Sequence, residues 1–229
     1  MSAMGARERM LGRLRAAHAV PAVPVEELDG RIDSHYDGRR APASNAQLVR
    51  AMQAALTASH AEVWCAGAAA WPAQLAERLA AHGVRRLLLD PASAEGAALA
   101  SALPAAVEAL PFARPLEQWK AELFDSVDAG FTVARSGIAA TGTLVLAPDA
   151  GSPRTASLVP PLHVALLHAD TLHADLHAAA RAEGWAGGMP SNLVLASGPS
   201  KTSDIQQTLA YGAHGPRWMW LVIVGGEAA

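Results

Sequence analysis

The sequence predicts an α/β fold, a mostly parallel sheet with helices on both faces. Short continuous apolar runs of strand length recur along the chain, and segments of helical periodicity separate several of them. The chain is also long enough for one large core, with 229 residues of which 51% are hydrophobic. A chain of this size buries roughly 70–75% of its unfolded surface, so it needs no disulfide or metal to hold it.

Residues 1–40 differ in character from the rest of the chain. Met10, Leu11 and Leu14 mark a charged amphipathic helix, and after Pro21 and Pro24 the polar stretch Asp29–Arg40 is expected to be a connector. Residues 41–229 are expected to form the α/β domain. Ser44 with Gln47 three residues on makes a capping box, and Leu48, Met52 and Leu56 share one face of a helix ending near Ser59. Glu62–Ala66 is the first apolar run. Pro72 suits a first helical turn, Leu75 and Leu79 form that helix's inner face, and Gly83 is its C-terminal cap. Val84–Leu89 is expected as a strand and Ala92–Leu103 as a helix. Further apolar runs stand at Gly130–Val133, Thr143–Leu146, His163–Leu167, Leu193–Leu195 and Trp218–Val224. Helices are expected at Thr171–Glu183 and at Ser203–Tyr211, the latter between a Ser203/Gln206 capping box and Gly212.

Composition narrows the function. Lys+Arg at 18 against Asp+Glu at 21 leaves a net charge of −3, which argues against general binding to nucleic acid or anionic membranes. The single cysteine, Cys65, excludes an internal disulfide and any cysteine-built zinc or iron–sulfur site within the chain, and its apolar surroundings suggest a small buried side chain. Arginines at 7, 9, 13 and 15 interrupt the stretch where an export signal would need an apolar core, and no apolar run approaches the ~18–20 residues of a membrane span. A cytoplasmic protein is expected.

Candidate chemistry lies in the loops, because ligands of parallel α/β sheets usually sit beyond strand ends. Gly137–Thr143 surrounds Gly142 with the hydroxyls of Thr141 and Thr143, a turn able to cradle a carboxylate or phosphate. Arg154 follows in a Ser-Pro-Arg-Thr segment and has the two-point geometry that clamps carboxylates. His163 opens an apolar strand. The segment Gly198-Pro-Ser200-Lys201-Thr202-Ser203-Asp204 offers hydroxyls, backbone N–H groups and one of only two lysines to an anion. It is not a nucleotide-binding P-loop, since Leu195 and Ser200 stand where that motif requires glycine. His214, between Gly212 and Gly215, is the best candidate for catalysis or ligand contact. His168, His173 and His177 lack partners at a metal-ligand spacing, so no metal site is assigned.

Taken in order, Gly-Ile-Ala-Ala-Thr-Gly-Thr, Ser-Pro-Arg-Thr with Val-Pro-Pro-Leu-His, Ser-Gly-Pro-Ser-Lys-Thr-Ser-Asp-Ile and Gly-Ala-His-Gly-Pro resemble the LUD-domain family, in particular the lactate utilization protein C family. The ordered motifs cover about Asp128 to Val224. The resemblance implies a fold like that of the CoA-transferase, ribose-phosphate isomerase and glucosamine-phosphate deaminase group. It implies a role in oxidising L-lactate to pyruvate beside two iron–sulfur partner proteins, with no cofactor in this chain. It carries Thr141, Gly142, Thr143, Arg154, His163, Gly198, Ser200, Thr202, Asp204, His214 and Gly215 over as a cleft for a small anionic ligand. Ala140 stands where the family commonly has glutamate, so transfer chemistry through a glutamate nucleophile is not available at this position.

Three functions are open to such a chain. The first is a subunit or accessory factor of a lactate-oxidising assembly. The second is a stand-alone enzyme acting on a small sugar phosphate or carboxylate, with Arg154 and Ser200–Thr202 as anion clamp and His214 as acid/base. The third is a binding module whose glycine loops form a protein interface.

Overall fold

The computed structural model describes residues 5–17, 23–203 and 209–226. The chain divides into two compact units, 1–42 and 43–229.

The first unit holds α1 (Ala6–Ala17) and α2 (Val25–Asp37), neither with a buried residue. The second helix corrects the connector expected over Asp29–Arg40. Val25, Leu28, Ile32 and Tyr36 recur at helical spacing through that polar stretch, and Glu26 and Glu27 sit in the first turn, where the helix dipole favours them.

The second unit begins with α3 (Asn45–Ala58), capped by the reciprocal Ser44–Gln47 box. It continues through β1 (Glu62–Ala66), α4 (Trp71–Ala81), β2 (Arg86–Leu88), α5 (Ala94–Ala102), β3 (Glu108–Leu110), α6 (Leu116–Asp125), β4 (Ala129–Val133), β5 (Ser136–Ile138) and β6 (Thr143–Leu146). After these come α7 (Arg154–Leu158), β7 (Leu162–His168), β8 (Leu172–His173), α8 (Leu176–Ala182), β9 (Val194–Ala196), β10 (Lys201–Ser203), β11 (Leu209–Tyr211) and β12 (Trp218–Val224).

A six-stranded sheet in the order β1-β12-β7-β4-β2-β3 forms the centre, and every pairing in it is parallel. Its middle strands are apolar on both faces because both are covered. On one face Phe131, Val164, Leu166, Trp220 and Val222 pack with Trp71, Leu75 and Leu79 of α4 and Leu99 of α5. On the other, Ala165, Leu167, Met219, Leu221 and Ile223 meet Val49, Met52 and Leu56 of α3, together with Leu144 and Leu146 of β6. A second, four-stranded sheet, β8-β5-β6-β9, shares the cover of this face. The apolar runs at 143–146 and 193–195 therefore belong to a mixed second sheet, with β6 antiparallel to both β5 and β9.

Two expected helices are corrected. The segment read as a helix from Thr171 instead gives Leu172 and His173 to β8, and the helix starts only after Asp175, whose carboxylate accepts the Ala178 N–H at 2.7 Å. The helix expected over Ser203–Tyr211 is replaced at both described ends by an antiparallel hairpin, Lys201–Ser203 against Leu209–Tyr211. Residues 204–208, and with them Asp204 and Gln206, lie outside the described residues.

Candidate functional site

His163 is the second residue of β7 and its side chain is 2% exposed. Its register partners are Gly130 on β4 and Met219 on β12, which places it on the sheet face that α3 and the second sheet cover. Gly130 makes room for α7 there, since a Cβ at that position would lie 2.0 Å from the Ala156 carbonyl oxygen. Among the described residues the imidazole finds one polar partner, with Nε2 2.8 Å from Thr132 Oγ1. Burial pushes its pKa down from 6.5 to about 4, so the ring is neutral at neutral pH.

His163 reaches the wall of a cavity of about 320 Å³ between α7, β9 and the loops on either side of the hairpin. Those loops are tied together: the Ser200 N–H donates to Pro216 O at 2.8 Å and the Gly212 N–H to Ser200 O at 2.9 Å. Gly198 has φ +126°, and a Cβ on it would lie 3.0 Å from Ser59. Gly215 lets its loop pass Ser200, where a Cβ would come to 3.1 Å. Five of the expected residues thus converge here: His163, Gly198, Ser200, His214 and Gly215. Lys201 joins them, and His214 and Lys201 are both exposed at the rim. No carboxylate is among the described residues lining this cavity, so its charged and titratable groups are cationic or neutral.

The remaining candidates fall elsewhere. The Thr141–Thr143 turn packs on α3, because Gly142 has φ +60° and a Cβ would lie 2.9 Å from Leu56 N. It reaches the cavity only through hydroxyls, Thr141 Oγ1 to Thr143 Oγ1 at 2.6 Å and Thr143 Oγ1 to Ser197 Oγ at 2.7 Å, with Ser197 on the lining. Arg154 is exposed at the start of α7 and Thr202 is half-buried in β10, and neither lines the cavity. Ala140 is exposed and its N–H donates to Ala174 O at 3.0 Å.

Sequence reasoning missed Thr132, Ser157 and Ser197. Thr132 lines a smaller cavity of about 110 Å³ with Asp90, Ser93, Asp149 and Ser152, and Ser157 lines both. The Thr132–His163 hydrogen bond therefore stands between two cavities. Its one sequence signal is a hydroxyl within the apolar run at 129–133.

The LUD domain family model matches residues 49–224, which takes in both cavities and the sheet beneath them. The chain belongs to the LUD-domain family. It is 38% identical over 216 residues to an uncharacterized protein of Neisseria meningitidis serogroup B, covering 93% of this chain and 91% of that one. Lactate utilization protein C of Shouchella clausii is 33% identical over 106 residues, 45% of this chain and 46% of that protein. The same-named protein of Deinococcus radiodurans is 32% identical over 102 residues, 44% of this chain and 48% of that protein. The matched stretches thus span about half the length of those relatives. A crystal structure of a DUF162 family protein from Deinococcus radiodurans shares the fold, with TM-score 0.59 and 24% identity over 80% of this chain and 100% of that one. In this LUD-domain chain no helix among the described residues is long and apolar enough to cross a membrane.

Proposed function

We propose that this LUD-domain chain is a lactate-utilization protein, a subunit or accessory factor in the iron–sulfur-dependent oxidation of L-lactate to pyruvate. The observation that carries the proposal is its similarity to proteins named lactate utilization protein C. The cavity at His163 suits a small carboxylate: Lys201 supplies positive charge, Ser200 supplies a hydroxyl, and no described carboxylate opposes an anion. Lactate oxidation releases two electrons and two protons. One cysteine cannot by itself ligate an iron–sulfur cluster within the chain, so in this reading two iron–sulfur partner proteins would supply the electron acceptor. In this scheme the chain binds and orients the hydroxy acid, His214 takes or gives a proton at the rim, and the assembly works in the cytoplasm.

An anaerobic pull-down of the tagged chain from lactate-grown native cells tests this. Iron–sulfur proteins should be recovered, and the eluate should transfer electrons in a lactate-dependent way. Normal growth on lactate after deletion, in a host with no second lactate dehydrogenase, would refute it. The same cavity also favours a second reading, a stand-alone enzyme acting on a small sugar phosphate or carboxylate. That reading requires turnover by the isolated chain, lost in His214→Ala with the fold intact.

A further inference from the structure

A third cavity, of about 450 Å³, lies at the ends of the strands opposite His163, over the carboxyl ends of β1, β12 and β7. Trp71, Ala94, Ala98 and Val224 give it apolar walls. Among the described residues its titratable lining groups are Glu95, His168 and Asp170, with no lysine or arginine. Its charge is therefore opposite in sign to that of the cavity at His163.

Two of these groups form a fixed pair. His168 Nε2 lies 2.9 Å from Glu95 Oε1. Both are half-buried, and the hydrogen bond to His168 holds the Glu95 carboxyl below its usual range. With Glu95 ionised, its carboxylate accepts the Nε2–H of His168, which ties the end of β7 to the first turn of α5.

Each partner is held from outside the cavity. Glu95 sits in the first turn of α5, where Ser93 Oγ accepts the Gly96 N–H at 3.0 Å and donates to Asp90 O at 2.8 Å. A Cβ on Gly96 would lie 1.8 Å from Asp90 O, so that turn seats closely against the end of β2. His168 ends β7 in register with Val224, and its carbonyl accepts the Thr171 hydroxyl at 2.8 Å. Trp71 is kept in the wall by stacking on Phe131, with centroids 5.9 Å apart and planes 7° apart.

We propose that this cavity is a binding site, separate from the one at His163, for a small uncharged or cationic molecule that carries hydroxyl or ammonium donors. The acceptors are the carboxylates of Glu95 and Asp170. A volume of this order suits a small organic ligand. An anion such as lactate is disfavoured, because among the described lining residues it would meet two carboxylates and no lysine or arginine.

The test tracks the histidine ring resonances of the full chain by ¹H–¹⁵N NMR during titration with 2-amino-1,3-propanediol, glycerol and L-lactate. 2-Amino-1,3-propanediol should move the His168 signals saturably and leave those of His163 and His214 in place. L-Lactate should leave His168 unmoved, and Glu95→Gln should weaken amine binding at least fivefold. A linear, non-saturating response to both the amine and glycerol, a stronger response to lactate, or unchanged affinity in Glu95→Gln overturns the proposal. Should Glu95→Gln fail to fold, the wild-type titrations decide the matter by which ligand moves which histidine. Lactate binding at His163 and amine binding at His168 are read in the same spectra, so either can fail without the other.

Discussion

His163 offers the most direct quantitative test of the buried site. In the folded protein burial lowers its pKa to about 4, whereas the unfolded chain titrates near 6.5. Above pH 6.5 neither state binds the proton and the ring costs nothing. As pH falls from 6.5 towards 4 the unfolded state gains a proton that the native state refuses, so stability drops, and the loss is complete once the folded ring also titrates. At ~1.36 kcal/mol per pKa unit the full loss is about 3 kcal/mol, of which about 2 kcal/mol has accrued by pH 5. His163→Leu removes the titration and leaves Thr132 Oγ1 without its partner, a pH-independent cost of about 1–3 kcal/mol. Urea unfolding followed by tryptophan fluorescence, from pH 7.5 to 4.5, gives the stability of both proteins, and groups common to both cancel in the difference. The wild-type advantage should shrink by about 2 kcal/mol between pH 7.5 and 5 and then reverse or vanish. A difference that stays constant across that range would refute the argument, because His163 would then titrate as a solvated imidazole.

Two further substitutions probe the scaffold and one the loop. Gly130→Ala places a methyl 2.0 Å from Ala156 O, so α7 must move off β4; a loss of about 2 kcal/mol, read as a fall in Tm of roughly 5 °C, is expected. Ser44→Ala removes the acceptor of the Gln47 N–H and should cost about 1 kcal/mol in urea unfolding, largely recovered by Ser44→Asp. Gly198→Ala forces a side chain into a left-handed φ of +126° and against Ser59; calorimetric affinity for a small carboxylate should fall several-fold, while Tm falls less than for Gly130→Ala.

The features legible in the sequence are the local ones. Ser44 and Gln47 announce α3 because both halves of the capping box lie within four residues, and the structure contains both hydrogen bonds. Ser203 and Gln206 present the same pattern, yet Lys201–Ser203 pairs with Leu209–Tyr211 as a hairpin. The difference is non-local: Ser200 is tied to Pro216 and to Gly212, and those bonds draw the two arms together in a way no window of the sequence displays. The apolar runs at 143–146 and 193–195 show the same limit, since a run marks a strand and only its partners decide which sheet it joins. At the site, glycine-rich loops identified Gly198, Ser200, His214 and Gly215 because unusual backbone is written in the residue types. Thr132, Ser157 and Ser197 are ordinary residues made significant by register and layer; Thr132 shows only as a hydroxyl within an apolar run, and nothing in the neighbours of Ser157 and Ser197 points to them.

β7 brings these themes together. It carries a histidine near each end, His163 and His168, five residues apart. An odd separation on a strand turns two side chains to opposite faces, so His163 lies under α7 and the second sheet while His168 meets the first turn of α5. The two environments then diverge. His163 is kept neutral by burial, with a hydroxyl for a partner and a cavity wall whose described charged group is Lys201. His168 has a carboxylate for a partner and a cavity rimmed by Asp170, which favours proton-rich ligands. One strand thereby places the same side chain in two sites of opposite preference, and substitution at one end need not disturb binding at the other.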